Sequence, residues 1–122
     1  MSWSADSILD STKKMLGIDP DHTTGYNAFD MDIMISINSA LNVLTQVGVG
    51  DPKGFQITGN TEVWSDFIPE DYEDRLGIIK NFVHLKVRQL FDPPLQTNVM
   101  TAMENQLQEL LWRISVTVDH GD

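Results

Sequence analysis

The sequence contains no cysteine, and this absence excludes several kinds of site. Without a thiol the chain can form no disulfide, thiolate zinc site, iron–sulfur cluster or cysteine nucleophile. No apolar run approaches the roughly 20 residues that a membrane-spanning helix needs. The first six residues have neither the basic flank nor the apolar stretch of a signal peptide. These absences predict a soluble protein that stays in the compartment where it is made.

Basic residues are scarce. Eight Lys and Arg stand against eighteen Asp and Glu, which gives a formal net charge of −10. Nucleic-acid-binding proteins obtain most of their affinity from Lys and Arg on phosphates, so this balance argues against a nucleic-acid-binding surface. Repulsion of DNA is useful where DNA must pass without sticking, or where a protein imitates DNA. The plainer explanation is a solvated acidic surface that aids solubility.

Catalytic and metal-binding motifs are also missing. The chain has three widely separated histidines, His22, His84 and His120. It has no phosphate-binding glycine loop, dinucleotide fingerprint or nucleophile elbow. Residues 19–30 partly imitate a calcium-binding loop, but Thr24 replaces the turn-forming glycine and Asp30 the bidentate glutamate. The sequence therefore predicts a protein that is not an enzyme and has no cofactor and no metal site.

Helical periodicity is what the sequence has in abundance. A chain of 122 residues with 41% hydrophobic residues suits a single domain, residues 1–122, with one core. Apolar residues at helical spacing predict four helices. Three span about residues 4–16, 30–47 and 69–91, and the fourth starts between residues 95 and 98 and ends near residue 112. Gly17 fits a left-handed helix end, and Asp92-Pro93-Pro94 stops the third helix sharply. The last two helices should therefore pack antiparallel.

Two other segments alternate apolar and polar residues, as strands do. Residues 55–58 and 61–64 flank Gly59-Asn60, which predicts a short β-hairpin covered by the domain's own helices or by another subunit. Residues 114–118 predict a strand-like tail within an extended C-terminal arm, residues 114–122. Such a tail can pair with the hairpin or add to another chain's sheet. The predicted fold is mainly α: about four helices in a small bundle, with a short hairpin and this tail.

Two further features favour a protein that works through interfaces. The second predicted helix is apolar on most sides, so it must be buried by its own domain or by neighbouring copies. Trp112 falls on the side of the last helix that faces away from its apolar seam of Leu107, Leu110 and Ile114. It is covered by another helix of its own domain, or it anchors a partner, a role for which tryptophan is enriched.

Five segments together resemble the head–tail connector (adaptor) proteins of long-tailed, siphovirus-like bacteriophages. They are residues 8–18, 37–50, 64–67, 85–94 and 112–116. The resemblance covers nearly the whole chain in the family's order. None of the segments carries catalytic chemistry, and their combination is what makes the resemblance specific.

The resemblance implies a structural protein of the virion neck, assembled in the cytoplasm of the bacterial host. It implies a homo-oligomeric ring with the portal's twelve-fold symmetry, placed between the portal protein and the tail or stopper protein. Such a ring would complete the DNA-filled head and form part of the DNA exit channel for genome ejection, with no specific binding of DNA and no membrane. The implied portal-binding residues are Trp112, Arg113, Ile114, Ser115, Val116, Thr117 and Val118. The implied subunit or stopper contacts are Phe55, Ile57, Val63 and Trp64.

Two other hypotheses compete with a phage adaptor. A small acidic inhibitor or DNA mimic that binds a host protein needs carboxylates spaced like phosphates on one face. Here the acids are spread over loops and helix starts. An enzyme with an acid–base pair among residues 66–74 needs a concave pocket and strongly shifted carboxylates.

Overall fold

A computed structural model describes residues 7–18, 28–68 and 73–119 of the chain. Most of these residues are helical, and no sheet forms among them. The described ranges contain five helices, α1 (Ile8–Met15), α2 (Ala28–Gln46), α3 (Trp64–Phe67), α4 (Glu73–Phe91) and α5 (Thr97–Asp119). The prediction of a mainly α fold is therefore confirmed.

Helix α1 has a well-defined start and stop. The Ser7 hydroxyl caps its first turn by accepting a hydrogen bond from the Asp10 N–H at 3.2 Å. At the other end Gly17 has a φ of +80°, the left-handed conformation that glycine adopts at little cost. The Ile18 N–H then donates back to the Lys13 carbonyl at 2.8 Å, which satisfies a carbonyl of the last turn. Gly17 thus ends α1 as predicted. The predicted start near residue 4 is wrong, because Ser7 has an extended backbone and caps a helix that begins at Ile8.

Helix α4 is the centre of the bundle, since it packs against α2, α5 and α1. Its neighbour α5 runs antiparallel to it. Near the connecting turn Gln89 donates to Glu104, and further along the pair Asn81 and Leu110 line the same cavity. The largest fully buried apolar side chains are Ile8, Leu9, Ile33, Ile37, Leu41, Leu44, Ile79, Val83, Val87 and Ile114. They come from α1, α2, α4 and α5, so these four helices share one hydrophobic core.

The predicted β-hairpin at residues 55–64 is wrong, because its backbone groups find other partners. The side-chain amide of Asn38, on α2, accepts from the Ile57 N–H at 2.8 Å and donates to the Ile57 carbonyl at 3.1 Å. Glu62 accepts from both the N–H and the hydroxyl of Thr58, at 2.9 and 2.8 Å. The segment forms one isolated β-bridge, between Val63 and Ser7, and then enters α3, a short helix that periodicity did not reveal.

The predicted strand-like tail is also wrong for residues 114–119, which continue α5 to Asp119. Ile114 follows Leu107 and Leu110 at helical spacing, and its side chain is only 2% exposed. The Ser115 hydroxyl donates to the Trp112 carbonyl at 2.8 Å, a bond made within a helical turn. Helical packing against the core therefore prevails over local alternation in this segment. Residues 120–122 of the predicted arm lie outside the described residues.

Candidate interaction surfaces

Trp112 is the most prominent exposed apolar side chain on α5. It is 65% exposed, although α5 packs its other face against α4. Successive residues on an α-helix are about 100° apart, so Trp112 and the buried Ile114 point in nearly opposite directions. No helix among the described residues covers the indole. A cover for Trp112 by another helix of its own domain is therefore not found among the described residues, and the side chain is available to a partner.

The other predicted portal-binding residues differ in their exposure to solvent. Arg113 is exposed and forms a 3.3 Å ion pair with Glu109, both side chains being more than half exposed. Such an exposed pair contributes a few tenths of a kcal/mol at most, so it constrains Arg113 little. Ser115 and Val116 are half-buried, whereas Ile114 belongs to the core. The side chains of Thr117 and Val118 lie outside the described part of the chain.

The predicted subunit or stopper contacts mostly face inward. Ile57 and Trp64 are 3% and 2% exposed, and Phe55 packs against Phe67 with ring centroids 5.5 Å apart. The indole N–H of Trp64 donates to the Ser11 hydroxyl at 3.1 Å. Val63 is half-buried. The domain's own helices therefore cover these side chains, which was one of the two alternatives left open by the sequence.

An open groove lies between the end of α1, the first half of α2 and the end of α4. Its volume is about 670 Å³. The lining residues are Leu16, Ile18, Asp32, Ile35, Ser36, Leu90, Phe91 and Asp92. Ile35 and Leu90 are 62% and 46% exposed, and Met31, one turn before Ile35, is 52% exposed. We name this feature the α1–α2–α4 groove. Periodicity assigns Met31 and Ile35 to the apolar side of α2 without showing that this side is uncovered.

A buried ion pair fixes α1 against the start of α2, close to this groove. Lys13 Nζ lies 2.7 Å from Asp30 Oδ1, and both side chains are 2% exposed. Removing one member of such a pair leaves an uncompensated buried charge, so the two residues depend on each other. Asp30 is the last residue of the stretch that imitates a calcium loop, and in the structure its carboxylate pairs with a lysine.

His84 is the most perturbed titratable group of the described residues. It lies edge-on to Trp64, with ring centroids 6.1 Å apart, and its Nε2 has no hydrogen-bond partner there. Burial and the nearby Lys80 ammonium lower the pKa of His84 from 6.5 to about 4. The imidazole is therefore neutral near pH 7. No group of three or more His, Asp or Glu side chains that could hold a metal ion occurs in the described ranges.

Glu62 and Glu104 carry smaller perturbations that come from hydrogen bonds. Burial raises the pKa of Glu62, but hydrogen bonds from Thr58 and from the backbone of Glu62 and Gly59 together outweigh it and bring this pKa below its ordinary value. Hydrogen bonds from Gln89 and Gln108 lower the pKa of Glu104. Both carboxylates thus stabilise local structure.

Among the described helices, none is long and apolar enough to cross a membrane.

The described residues form a small helical bundle with an exposed Trp112 on α5 and an open groove beside α2. The chain belongs to the phage connector protein family, because the family model of that description matches residues 8–121. Comparison with curated proteins and with solved structures found no match. The family match confirms the resemblance found in the sequence, and the protein is a phage structural connector.

Proposed function

We propose that this protein is a neck component that assembles as a ring between the portal and the tail or stopper protein. The match to the phage connector family over residues 8–121 is the observation that carries this proposal. Exposed apolar residues at separate places on the bundle support it, since a ring subunit needs separate surfaces for each neighbour. In this role the chain acts as one domain, completes the DNA-filled head and forms part of the exit channel.

The C-terminal part of α5 is the proposed portal contact. Its residues 112–118 include the exposed Trp112 and Arg113 and the half-buried Ser115 and Val116. Ile114 supports this surface from within the core and is not itself available. The portal contact is therefore made by one side of a continuous helix rather than by an added strand.

The loop formed by residues 55–64 is the proposed contact with the stopper or an adjacent subunit. Its apolar side chains Phe55, Ile57, Val63 and Trp64 hold the loop on the bundle through the contacts described above. The exposed positions between them, such as Gln56 and Thr58, then face the partner. In this arrangement the predicted residues determine the shape of the contact and their polar neighbours touch it.

The acidic balance of the chain fits the proposed channel. A formal net charge of −10 disfavours binding to phosphates, so DNA would slide past the ring without sticking. A ring in the neck has to let the genome leave quickly, and a repulsive wall serves that purpose.

Immunogold labelling of intact virions tests the position. Antibodies against the chain should place gold at the junction between head and tail. Gold on the capsid shell or at the tail tip would contradict a place in the neck. Unlabelled virions in which mass spectrometry finds only traces of the protein would contradict it as well.

Cosedimentation with the purified portal protein tests the α5 contact. A double substitution of the half-buried outer residues, Ser115→Arg with Val116→Asp, should reduce cosedimentation at least tenfold while circular dichroism stays unchanged. The matched control, Asn105→Asp with Gln108→Arg, changes exposed residues on the same helix nearer its start and should bind normally. Normal binding by the first variant would remove residues 115 and 116 from the contact.

A further inference from the structure

We propose that Trp112 of one copy inserts into the α1–α2–α4 groove of the next copy in the ring. This inference rests on the ring assembly proposed above and names the surfaces that make it. It assigns the outer face of α5 at Trp112 to the neighbouring subunit. Trp112 and Arg113, included above in the portal contact, then serve the neighbouring subunit, and residues 115–118 of α5 remain the portal contact.

The exposed large apolar side chains of the described residues lie at three places, one of which is formed by Leu95 and Val99 at and just after the α4–α5 turn. Met31, Ile35 and Leu90 lie at or beside the groove, and Trp112 stands alone on the outer face of α5. Leu90 is close to the α4–α5 turn, whereas Trp112 comes fifteen residues into α5, about 22 Å along its axis from that turn. A copy therefore cannot fill its groove with its own Trp112.

The groove and Trp112 complement each other in shape and polarity. The groove is open, has a volume of about 670 Å³ and has aliphatic walls formed by Leu16, Ile35 and Leu90. It can hold a bulky side chain together with part of the helix that carries it. A tryptophan at the centre of a contact is the residue type that most often dominates binding energy. Covering both places would remove the most exposed apolar surface of α2 and α5 from water.

Charge also favours a second copy as the occupant. Asp32 and Asp92 line the groove and are exposed, so the groove suits an apolar side chain that has a cation beside it. Arg113 follows Trp112 directly, and its pair with Glu109 is exposed and easily shared. None of the other large exposed apolar residues of the described ranges, Met31, Ile35, Leu90, Leu95 and Val99, has a Lys or Arg next to it in the sequence. Copies with a net charge of −10 repel each other, so a contact that brings a cation to two carboxylates offsets part of that repulsion.

The proposed contact is heterologous, because it joins two different surfaces. Every copy then offers one Trp112 and one groove, and repetition of the contact closes a ring if the rotation between copies allows it. A self-complementary dimer would use the same surface on both copies and would stop at two.

Engineered disulfides test this contact directly, because the natural chain has no cysteine. The double variant carries Trp112→Cys and Ile35→Cys, both at exposed positions where the fold should tolerate them. It is supplied in place of the natural chain during phage growth, and the resulting particles are treated with a mild oxidant. Non-reducing electrophoresis should show a ladder of dimers, trimers and larger multimers that disappears on reduction. The single variants should give no species beyond the dimer.

A matched control keeps Trp112→Cys and moves the second cysteine to the fully exposed Leu95, which does not line the groove. It should not give a ladder. Particles that contain the Trp112–Ile35 variant but yield no ladder would overturn the inference and leave the neck position intact. The same result is expected if another neck protein occupies the groove. If the unsubstituted chain, supplied in the same way, is also missing from the particles, the proposed function fails and this inference fails with it.

Discussion

At the scale of single residues, glycine is favoured for two different reasons, a left-handed backbone conformation and a close approach between two segments. Gly50 and Gly54 both have positive φ angles, +78° and +97°. A Cβ at Gly50 would lie 2.9 Å from the Phe67 carbonyl oxygen, whereas a Cβ at Gly54 would meet nothing within 4 Å. Both positions favour glycine for their backbone conformation, and only Gly50 is also needed for a close approach between two segments.

Gly50→Ala should therefore destabilise the protein more than Gly54→Ala. We expect a loss of about 1 kcal/mol for Gly54→Ala from the left-handed backbone alone. Gly50→Ala should cost at least about 1 kcal/mol more, because Phe67 must also move. Urea unfolding of the two variants checks this difference. Equal losses would mean that the Phe67 contact adjusts without cost.

His84 makes stability depend on pH. Its pKa of about 4 in the fold lies below its ordinary 6.5, so the unfolded state binds more protons between these values. The contribution of the neutral His84 to the free energy of unfolding is complete above about pH 6.5 and is lost as the pH falls toward 4. His84→Gln should remove this dependence. Because solvent screens part of the effect at this partly exposed side chain, the wild type should lose about 2 kcal/mol more than the variant over this range. Chemical unfolding at several pH values measures it, and a difference that does not change with pH would contradict the assignment.

At the scale of elements, long periodic segments were predictable and short ones were not. Helix α2, predicted over residues 30–47, is found at Ala28–Gln46, and the Asp92-Pro93-Pro94 stop of α4 is where the sequence placed it. Helix α3 has only four residues, too few for a periodic pattern, and its start depends on Asp66 accepting a hydrogen bond from the Val63 N–H at 3.0 Å. Such local bonds are not visible in a pattern of apolar residues.

The two strand predictions failed because alternation describes only the sequence neighbours. Residues 55–58 alternate, but the backbone of Ile57 is hydrogen-bonded to Asn38, nineteen positions away. Ile114 alternates with its neighbours and also continues the helical seam of Leu107, so tertiary packing decided between the two. The candidate surfaces could not be predicted for the same reason. The sequence shows which residues are apolar, and only the packing shows that Ile35, Leu90 and Trp112 are left uncovered.

The Asn38 contact is the element-scale feature most open to test. Asn38→Ala leaves the N–H and carbonyl of the buried Ile57 without partners, which should cost about 2 kcal/mol. The Ile57 amide should also exchange its hydrogen faster. Asn42→Ala, one turn later on α2 and exposed, is the control and should change stability little. A silent Asn38→Ala would show that the loop is held by its apolar side chains alone.

At the scale of the whole molecule, a single core joins α1, α2, α4 and α5, and its outer faces differ in character. The loop at residues 55–64 is pinned to the bundle, the outer face of α5 presents a tryptophan, and the groove beside α2 is open. A ring subunit that contacts two copies of itself and two other proteins needs this diversity. The family match favours this account over an acidic inhibitor or DNA mimic.

Electron microscopy of a lysate from phage that lack this gene tests the central claim most directly. A neck connector predicts DNA-filled or leaking heads beside complete tails that are not attached, with joined virions restored when the gene is supplied in trans. Joined virions of normal appearance in the absence of the gene would contradict an essential connector role.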